Sequence, residues 1–524
     1  MKKFLITILV LIVAVVAGGY GTFKYKNREH GPDIYAMYKT QDTVPQGKTG
    51  IFMIGLSTTE DFDPTWWHNI FDHIAHVRIP WPFRIAALSD TGVALMDPNR
   101  DYSTEEFVPT KLVDRFGSDR DMNATPYIEH YREGHEQGLV KWVPPQESIH
   151  LDTGYFVYTG RQDGIPTTAG KTISYARLWY WGRGIEGQKI PAERQQHAVN
   201  DYAVARLAEK YPDVAFDHAD TMKPWLWRKK IFDMLDSGIE TFVLASHMVV
   251  YSGYEDFNNG FRHSIEYVEE WEKLNGRDIK VVMAPPLGHF KPIRDGYLLM
   301  LKDKLDTLPK GVSVKMVWSV HGMPWREFPN EPWLEMAPAY RDVLVEESKE
   351  LLSQYDFSRF EVVVSQDHFA DHYWVPDHLS LATNTAYMDG VKDDYDHVMN
   401  LPIEFYNENT DTLFYHAMVN YENFPGYSVY NQIKYPPSLW EQPYTKHFEI
   451  DGTQIDYLGV PVGPRYSPYI GQAMFDSWDA ILSQRGGRVA TNWKQPGRGS
   501  EDRVMRDLRY LSAYKQLRNQ RRQV

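Results

Sequence analysis

The chain has 524 residues, of which 43% are hydrophobic and 24% are charged, and its formal net charge is −14. This length and composition indicate a globular protein of two or three domains and exclude a disordered chain. The negative net charge argues against a nucleic-acid partner. The absence of cysteine excludes disulfides, thiolate metal sites, cysteine-ligated iron–sulfur clusters and cysteine nucleophiles.

The N-terminus predicts a membrane anchor within residues 1–31. Lys2 and Lys3 precede an uncharged, mostly apolar run at residues 4–23, which is long enough to span a bilayer. Basic residues flank the run on both sides, so the charge pattern leaves the orientation open. A very short head that carries two lysines favours a cytoplasmic N-terminus, which places the body on the exoplasmic (periplasmic) side. Cleavage near Ala17 is the weaker alternative.

Strands and helices alternate between about residues 210 and 365. The candidate strands are Val214–Phe216, Thr241–Ala245, Ile279–Ala284, Val312–Trp318 and Phe360–Val364, and an earlier strand, Gly50–Gly55, opens the same architecture. The candidate helices are Leu226–Ser237, Asn258–Leu274, Ile293–Leu308 and Ala339–Tyr355. Strands that alternate with helices of this length are typical of a parallel sheet with helices on both faces, so the predicted fold class is α/β.

Two regions depart from this alternation. The stretch 95–195 is rich in glycine, proline and polar aromatics, and is interpreted as an insertion or irregular subdomain. Prolines interrupt residues 425–499 repeatedly. Ser500 is a candidate N-cap for a final basic helix, whose cationic face is either solvated or in contact with anionic lipid.

Histidines follow four of the candidate strands, namely His247, His289, His321 and His368. Ligands bind at the carboxyl edge of parallel sheets, so this placement predicts a polar site there. His321 is the most informative of the four because it ends an apolar strand and is followed directly by Gly322. A histidine in this position is either a base or metal ligand near neutral pH, or a residue that only caps the strand end.

The run Ser319-Val-His-Gly-Met-Pro324 resembles the Ser-Ala-His-Gly-Leu-Pro signature of ferrochelatases. Four more segments are similar to the family in the correct order, at residues 50–58, 244–252, 365–376 and 408–413. The resemblance covers about 50–95 and 200–420. It implies two similar lobes, each a parallel sheet flanked by helices, with a porphyrin cleft between them. The expected domains are a first lobe at 32–300 that carries the 95–195 insertion, a second lobe at 301–425 and a C-terminal extension at 426–524.

The resemblance also implies a function, the insertion of ferrous iron into a porphyrin in haem biosynthesis. His321 is the expected proton acceptor or metal ligand, and Asp411 is the facing acid. Iron is a substrate here, and no cofactor is required. The expected substrate-binding residues, for each of which core packing is the alternative role, are Met248, Tyr251, Ser319, Met323, Trp325, Gln366 and Trp374. Possible auxiliary residues are His247, His368, His372, Glu408 and His416, and Glu404 lies nearby.

The sequence departs from the family pattern around Asp411. The family has glutamate there, so the acid in this chain reaches about 1.5 Å less far. Tyr415 and Val419 occupy positions that are acidic in the family. These departures leave two alternatives open: a chelatase for another metal, such as cobalt, or another tetrapyrrole, and a non-catalytic tetrapyrrole- or metal-binding protein on the same scaffold.

Overall fold

The computed structural model describes most of the chain between residues 34 and 484. The described residues are 34–55, 192–220, 224–321, 332–367, 379–409 and 441–484, together with Gly18, Thr412, Phe424 and four short strands between 111 and 158. The predicted anchor at 4–23, apart from Gly18, and the predicted basic helix after Ser500 lie outside them. No helix among the described residues combines the length and hydropathy that a bilayer crossing requires.

The helices alternate with the strands as the sequence predicts. The α-helices are α1 Ile34–Lys39, α2 Ala192–Lys210, α3 Pro224–Asp236, α4 Arg262–Asn275, α5 Lys291–Leu305, α6 Pro332–Met336, α7 Pro338–Leu352, α8 Thr383–Lys392 and α9 Ser467–Leu482. A π-helix at Gly253–Phe261 leads into α4, and a 3₁₀ turn at Leu287–His289 precedes α5. All four predicted helices are confirmed, as α3, α4, α5 and α7.

A four-stranded parallel sheet forms the first half of the described structure. Its strands are β1 Thr49–Gly55, β6 Ala215–Asp220, β7 Thr241–Ser246 and β8 Lys280–Met283, in the order β6-β1-β7-β8. Every residue of β1 and β7 is buried, because helices cover both faces of the two central strands. Strands β1 and β7, both predicted from the sequence, are parallel and end at Gly55 and Ser246 on the carboxyl edge of this sheet.

A second sheet has five strands. They are β9 Ser313–Val320, β10 Arg359–Gln366, β11 His397–Pro402, β12 Lys446–Ile450 and β13 Thr453–Tyr457, in the order β10-β9-β11-β13-β12. Only β12 is antiparallel to its neighbour. The parallel strands of this sheet repeat the arrangement of the first sheet, because in both the second strand in the chain lies outside the first and the third lies on the other side. The predicted α/β class with helix-flanked parallel sheets is confirmed.

Four short strands lie within the predicted insertion. They are β2 Lys111–Val113, β3 Asp119–Asp121, β4 Val140–Val143 and β5 Tyr155–Tyr158, and they pair as β2 with β3 and β4 with β5, both antiparallel. Neither pair joins one of the two larger sheets.

The chain after residue 425 takes part in both halves. Strands β12 and β13 complete the second sheet, so the predicted boundary at 425 does not coincide with the end of that sheet. Helix α9 returns to the first sheet, where Trp478 packs on Phe216 at 5.0 Å between ring centroids and Ser477 donates a hydrogen bond to the carbonyl of Pro285. The many prolines of 425–499 concealed these elements from the sequence analysis.

One continuous apolar core connects the two sheets. It contains Ile51 and Val243 of the first sheet, Met316 and Met399 of the second, and Trp478 of α9, all of which are completely buried. The two carboxyl edges therefore have a fixed geometry relative to each other within the described residues.

Candidate functional site

His321 lies where the sequence predicts, directly after β9 at the carboxyl edge of the second sheet. Only 6% of its surface is exposed. Its ring lies 5.5 Å from the ring of Phe405, which belongs to the segment after β11. The neighbouring strand β10 ends in Gln366, followed by Asp367, so three adjacent strands deliver polar groups to one edge.

Glu404 holds the chain around His321 in place. Its Oε2 atom accepts a hydrogen bond of 2.9 Å from the backbone N–H of His321, and its Oε1 atom accepts one of 2.5 Å from Nε1 of Trp333 in α6. A single carboxyl group thus joins the ends of β9 and β11 to a helix. Burial raises the pKa of Glu404 to about 8, although the two N–H donors and the charge of Arg341 act in the opposite direction.

The segment 403–409 after β11 connects the two carboxyl edges. The hydroxyl of Tyr297 donates to the carbonyl of Phe405, and the hydroxyl of Tyr340 donates to the carbonyl of Ile403 over 2.6 Å. On the other side, the backbone N–H of Glu408 donates to Oε1 of Gln195 in α2 over 2.6 Å. The carboxyl edge of the second sheet therefore contacts the helix that covers the first sheet.

Glu408 is a second buried acid in this segment, and its surface is completely inaccessible. Its Oε2 atom accepts a hydrogen bond of 2.6 Å from the hydroxyl of Thr412. Burial raises the pKa of Glu408 to about 7, against the opposing effect of the hydrogen bond from Thr412. The two carboxyl groups of the segment 403–409 thus change charge close to neutral pH, which suits proton exchange.

His247 comes from the first sheet, directly after β7. Its Nε2 atom lies 2.9 Å from Oδ1 of Asn200 in α2, and the backbone of Ile54 at the end of β1 also contacts the ring. Burial is the main cause that lowers the pKa of His247, so its imidazole is neutral. Its ring lies 6.1 Å from that of Tyr406 on the connecting segment.

Gly55 at the end of β1 makes this close packing possible. A methyl group added there would lie against Gln196 and 2.7 Å from Nδ1 of His247. Any side chain at this position would displace one of the two polar groups. His289, which also follows a strand of the first sheet, is buried in the 3₁₀ turn at Leu287–His289.

The predicted substrate-binding residues of the first sheet have different environments. Met248 packs against Phe405, Val460 and Val462, and so lies between the two edges. Tyr251 is completely buried, and its hydroxyl donates to the carbonyl of Ala284 over 3.1 Å. Its described contacts fit core packing, the alternative role, and a contact of Tyr251 with a ligand stays a prediction.

Ser319 and Gln366 are buried without any exposed surface. The hydroxyl of Ser319 accepts a hydrogen bond of 2.9 Å from Nδ2 of Asn400 in β11, which connects neighbouring strands. The Nε2 atom of Gln366 donates to the carbonyl of Leu379 over 2.5 Å. Both side chains therefore stabilise this edge of the sheet through buried hydrogen bonds.

Several predicted site residues lie outside the described residues. They are Met323, Trp325, His368, His372, Trp374, Asp411 and His416. The opposition of His321 and Asp411 therefore stays a prediction. Among the residues that the structure does describe, no group of three or more histidines and acids has the arrangement of a metal site.

The polar face of α2 was not predicted from the sequence. Gln195, Gln196 and Asn200 are buried on one side of this helix, where they bond to the segment 403–409 and to His247. The spacing of four positions between Gln196 and Asn200 was the available signal, since residues at this spacing share a helix face. Comparison with protein-family models and with curated proteins gives no match for this chain.

Proposed function

We propose that this protein is a ferrochelatase-like enzyme that inserts ferrous iron into a porphyrin, with His321 as proton acceptor or metal ligand and Asp411 as the facing acid. The observation that supports this most strongly is the location of His321 at the carboxyl edge of the second sheet, where Glu404 accepts from its backbone and its ring lies against Phe405. The proposal includes a cleft between two lobes and a membrane anchor at residues 4–23.

The proposed reaction needs a base in a water-poor site. Two pyrrole protons must leave the macrocycle as the divalent metal enters, and the metal must shed its water ligands. A neutral imidazole accepts a proton or binds the metal without adding a negative charge. His321 is well placed for this role because Glu404 fixes its backbone through the 2.9 Å hydrogen bond.

Two buried acids on the segment after β11 supply a route for the released protons. Glu404 and Glu408, with pKa values of about 8 and about 7, exchange protons readily near neutral pH. In the sequence, Asp411 follows Glu408 by three positions. The two glutamates take the place of the acidic residues that the family has at the positions of Tyr415 and Val419.

A metalation assay with three variants tests the proposal. Purified protein is mixed with protoporphyrin and ferrous or cobalt ion without oxygen, and metalloporphyrin formation is followed by absorbance. We expect His321→Ala to lower the rate by about 10²-fold or more, the usual contribution of a positioned base. Asp411→Asn should also lower it, whereas Asp411→Glu, which restores the acid of the family, should preserve it.

The matched control is His447→Ala, which removes an exposed histidine on β12 and should leave the rate unchanged. Faster metalation with cobalt than with iron would assign the other metal. Tight porphyrin binding without metalation would contradict catalysis and favour a non-catalytic binding protein.

A further inference from the structure

Two histidines meet on the outer side of the first sheet. His197 is exposed on α2, and His218 is half-buried on β6. Their Nε2 atoms lie 3.2 Å apart, the ring centroids 5.0 Å apart, and the ring planes cross at 75°. Neither residue belongs to the predicted catalytic site.

The packing of β6 and α2 holds the two histidines close together. β6 is an outer strand of the first sheet, and its alternate residues Phe216 and His218 stack on one face. Phe216 also packs on Trp478 of α9, which anchors the strand under the helices. Helix α2 packs against α9 and directs His197 toward His218.

The separation of the two nitrogens fits a bound metal ion. Zinc binds imidazole nitrogen at about 2.0–2.1 Å, so two nitrogens on a tetrahedral ion are about 3.3 Å apart. We infer that His197 and His218 form a two-histidine site for a divalent transition-metal ion, with water in the remaining positions. Two imidazoles suit zinc, cobalt, nickel or ferrous iron, and not magnesium or calcium, which prefer oxygen ligands.

The surroundings favour the metal-binding form of His218. Its side chain is half-buried between β6 and α2, which holds the ring against that of His197. Asp217, the neighbouring acid on the same strand, does not compete with His218 for the metal ion, because its carboxylate accepts a hydrogen bond of 2.9 Å from Lys230. Lys230 adds a positive charge near His218, which its ion pair with Asp217 offsets, and Glu193, one turn before His197 on α2, adds a negative charge.

This inference is independent of the proposed metalation reaction. The pair lies beside β6, whereas His321 follows β9 in the other sheet. A cation can therefore bind here whether or not the protein metalates porphyrins. A neutral N–H to N hydrogen bond accounts for the same distance, and the experiment must separate the two.

Cobalt binding to the full chain without porphyrin distinguishes a metal site from a hydrogen bond between the two rings. The visible absorption of Co²⁺ and equilibrium dialysis are compared for the wild type, His197→Ala, His218→Gln and the double variant. We expect each single substitution to weaken binding at this site by more than about tenfold, because even the loss of a partner outside a ligand set costs that much. The double variant should lose little more than either single variant, because both histidines hold the same ion.

His447→Ala is the control for the loss of an exposed imidazole, and it should bind cobalt as the wild type does. Thermal unfolding of each variant without metal establishes that it is folded, and His197→Ala is the least disturbing because His197 is exposed. Added Zn²⁺ should raise the midpoint of unfolding of the wild type more than that of His197→Ala. Equal cobalt affinity of the wild type, His197→Ala and His218→Gln would show a hydrogen bond alone and overturn the inference.

Discussion

Glu404 illustrates how one buried acid organises the end of a sheet. Its carboxyl group accepts from the backbone of His321 and from the indole of Trp333, and neither donor has access to water. A buried donor that loses its acceptor costs about 1–3 kcal/mol, so both contacts matter for the local structure. The same burial that strengthens these contacts favours the protonated form of the acid.

This raised pKa predicts a specific dependence of stability on pH. Glu404 has a pKa of about 8 in the folded protein, and glutamate has one of about 4.3 in an unfolded chain. Between these values the folded state holds a proton that the unfolded state lacks, so stability falls as the pH rises. Relative to Glu404→Gln, the unfolding free energy of the wild type should fall by up to about 1.4 kcal/mol per pH unit between about pH 5 and 8.

Urea unfolding at several pH values measures this difference. Glu449→Gln is the control, since Glu449 is exposed on β12 and its replacement should leave the slope unchanged. Comparison with a variant also cancels the contributions of Glu408 and His218, which titrate in both proteins. Parallel curves for the wild type and Glu404→Gln would show that Glu404 is ionised throughout this range.

At the residue scale, the sequence predicted the residues next to strand ends and missed those that arrive from elsewhere. His247 and His321 directly follow apolar strands, so their position was visible in the pattern. The partnership of Glu404 with Trp333 spans 71 positions of the chain and depends on the packing of α6. No local pattern encodes such a contact. Asp411 lies outside the described residues, so its role stays a prediction.

At the element scale, the crossing of α2 and α9 depends on a glycine. A methyl group at Gly471 would come within 2.9 Å of Cβ of Tyr202, an atom that cannot move without its backbone. We expect Gly471→Ala to destabilise the protein by about 1–3 kcal/mol, the usual cost of overpacking, less the gain in helix propensity. Thermal or urea unfolding measures the change.

Gly296 in α5 offers a matched comparison. It is also within a helix and faces α9, but a methyl group there would meet side-chain atoms of Ile470 and Tyr469 at 3.3 Å. These atoms can yield by a few tenths of an ångström. Gly296→Ala should therefore be close to neutral or stabilise by up to about 1 kcal/mol. An equal loss of stability in both variants would rule out the steric explanation for Gly471.

Elements with an apolar pattern were predictable, and those with a mixed pattern were not. The predicted strands agree with the structure because continuous apolar runs mark strands that are covered on both faces. Helix α2 was missed because its buried side includes Gln195, Gln196 and Asn200. Strands β12 and β13 were missed because they are short and follow a proline-rich stretch.

At the scale of the whole molecule, the two sheets share one core. Leu244 of β7 and Met316 of β9 are both completely buried and belong to the same apolar cluster. We therefore expect a single cooperative unfolding transition. Leu244→Ala and Met316→Ala should each lower its midpoint, with a cost of about 2–5 kcal/mol.

Calorimetry and tryptophan fluorescence test whether the two sheets unfold together. Both signals should give the same midpoint in the wild type and the same decrease in each variant. Two separate transitions, each sensitive to only one substitution, would instead show that the sheets fold as independent units.

The outer strands of the two sheets also affect how copies of the chain behave toward one another. A strand at the border of a sheet has unpaired backbone groups that can recruit a strand from another molecule. In this protein such borders carry charge, as with Asp217 on β6, Glu361 on β10 and Glu449 on β12. Because a charged side chain on an outer strand would lose its water when a second strand is added, the architecture opposes self-templated aggregation at the positions where it would otherwise begin.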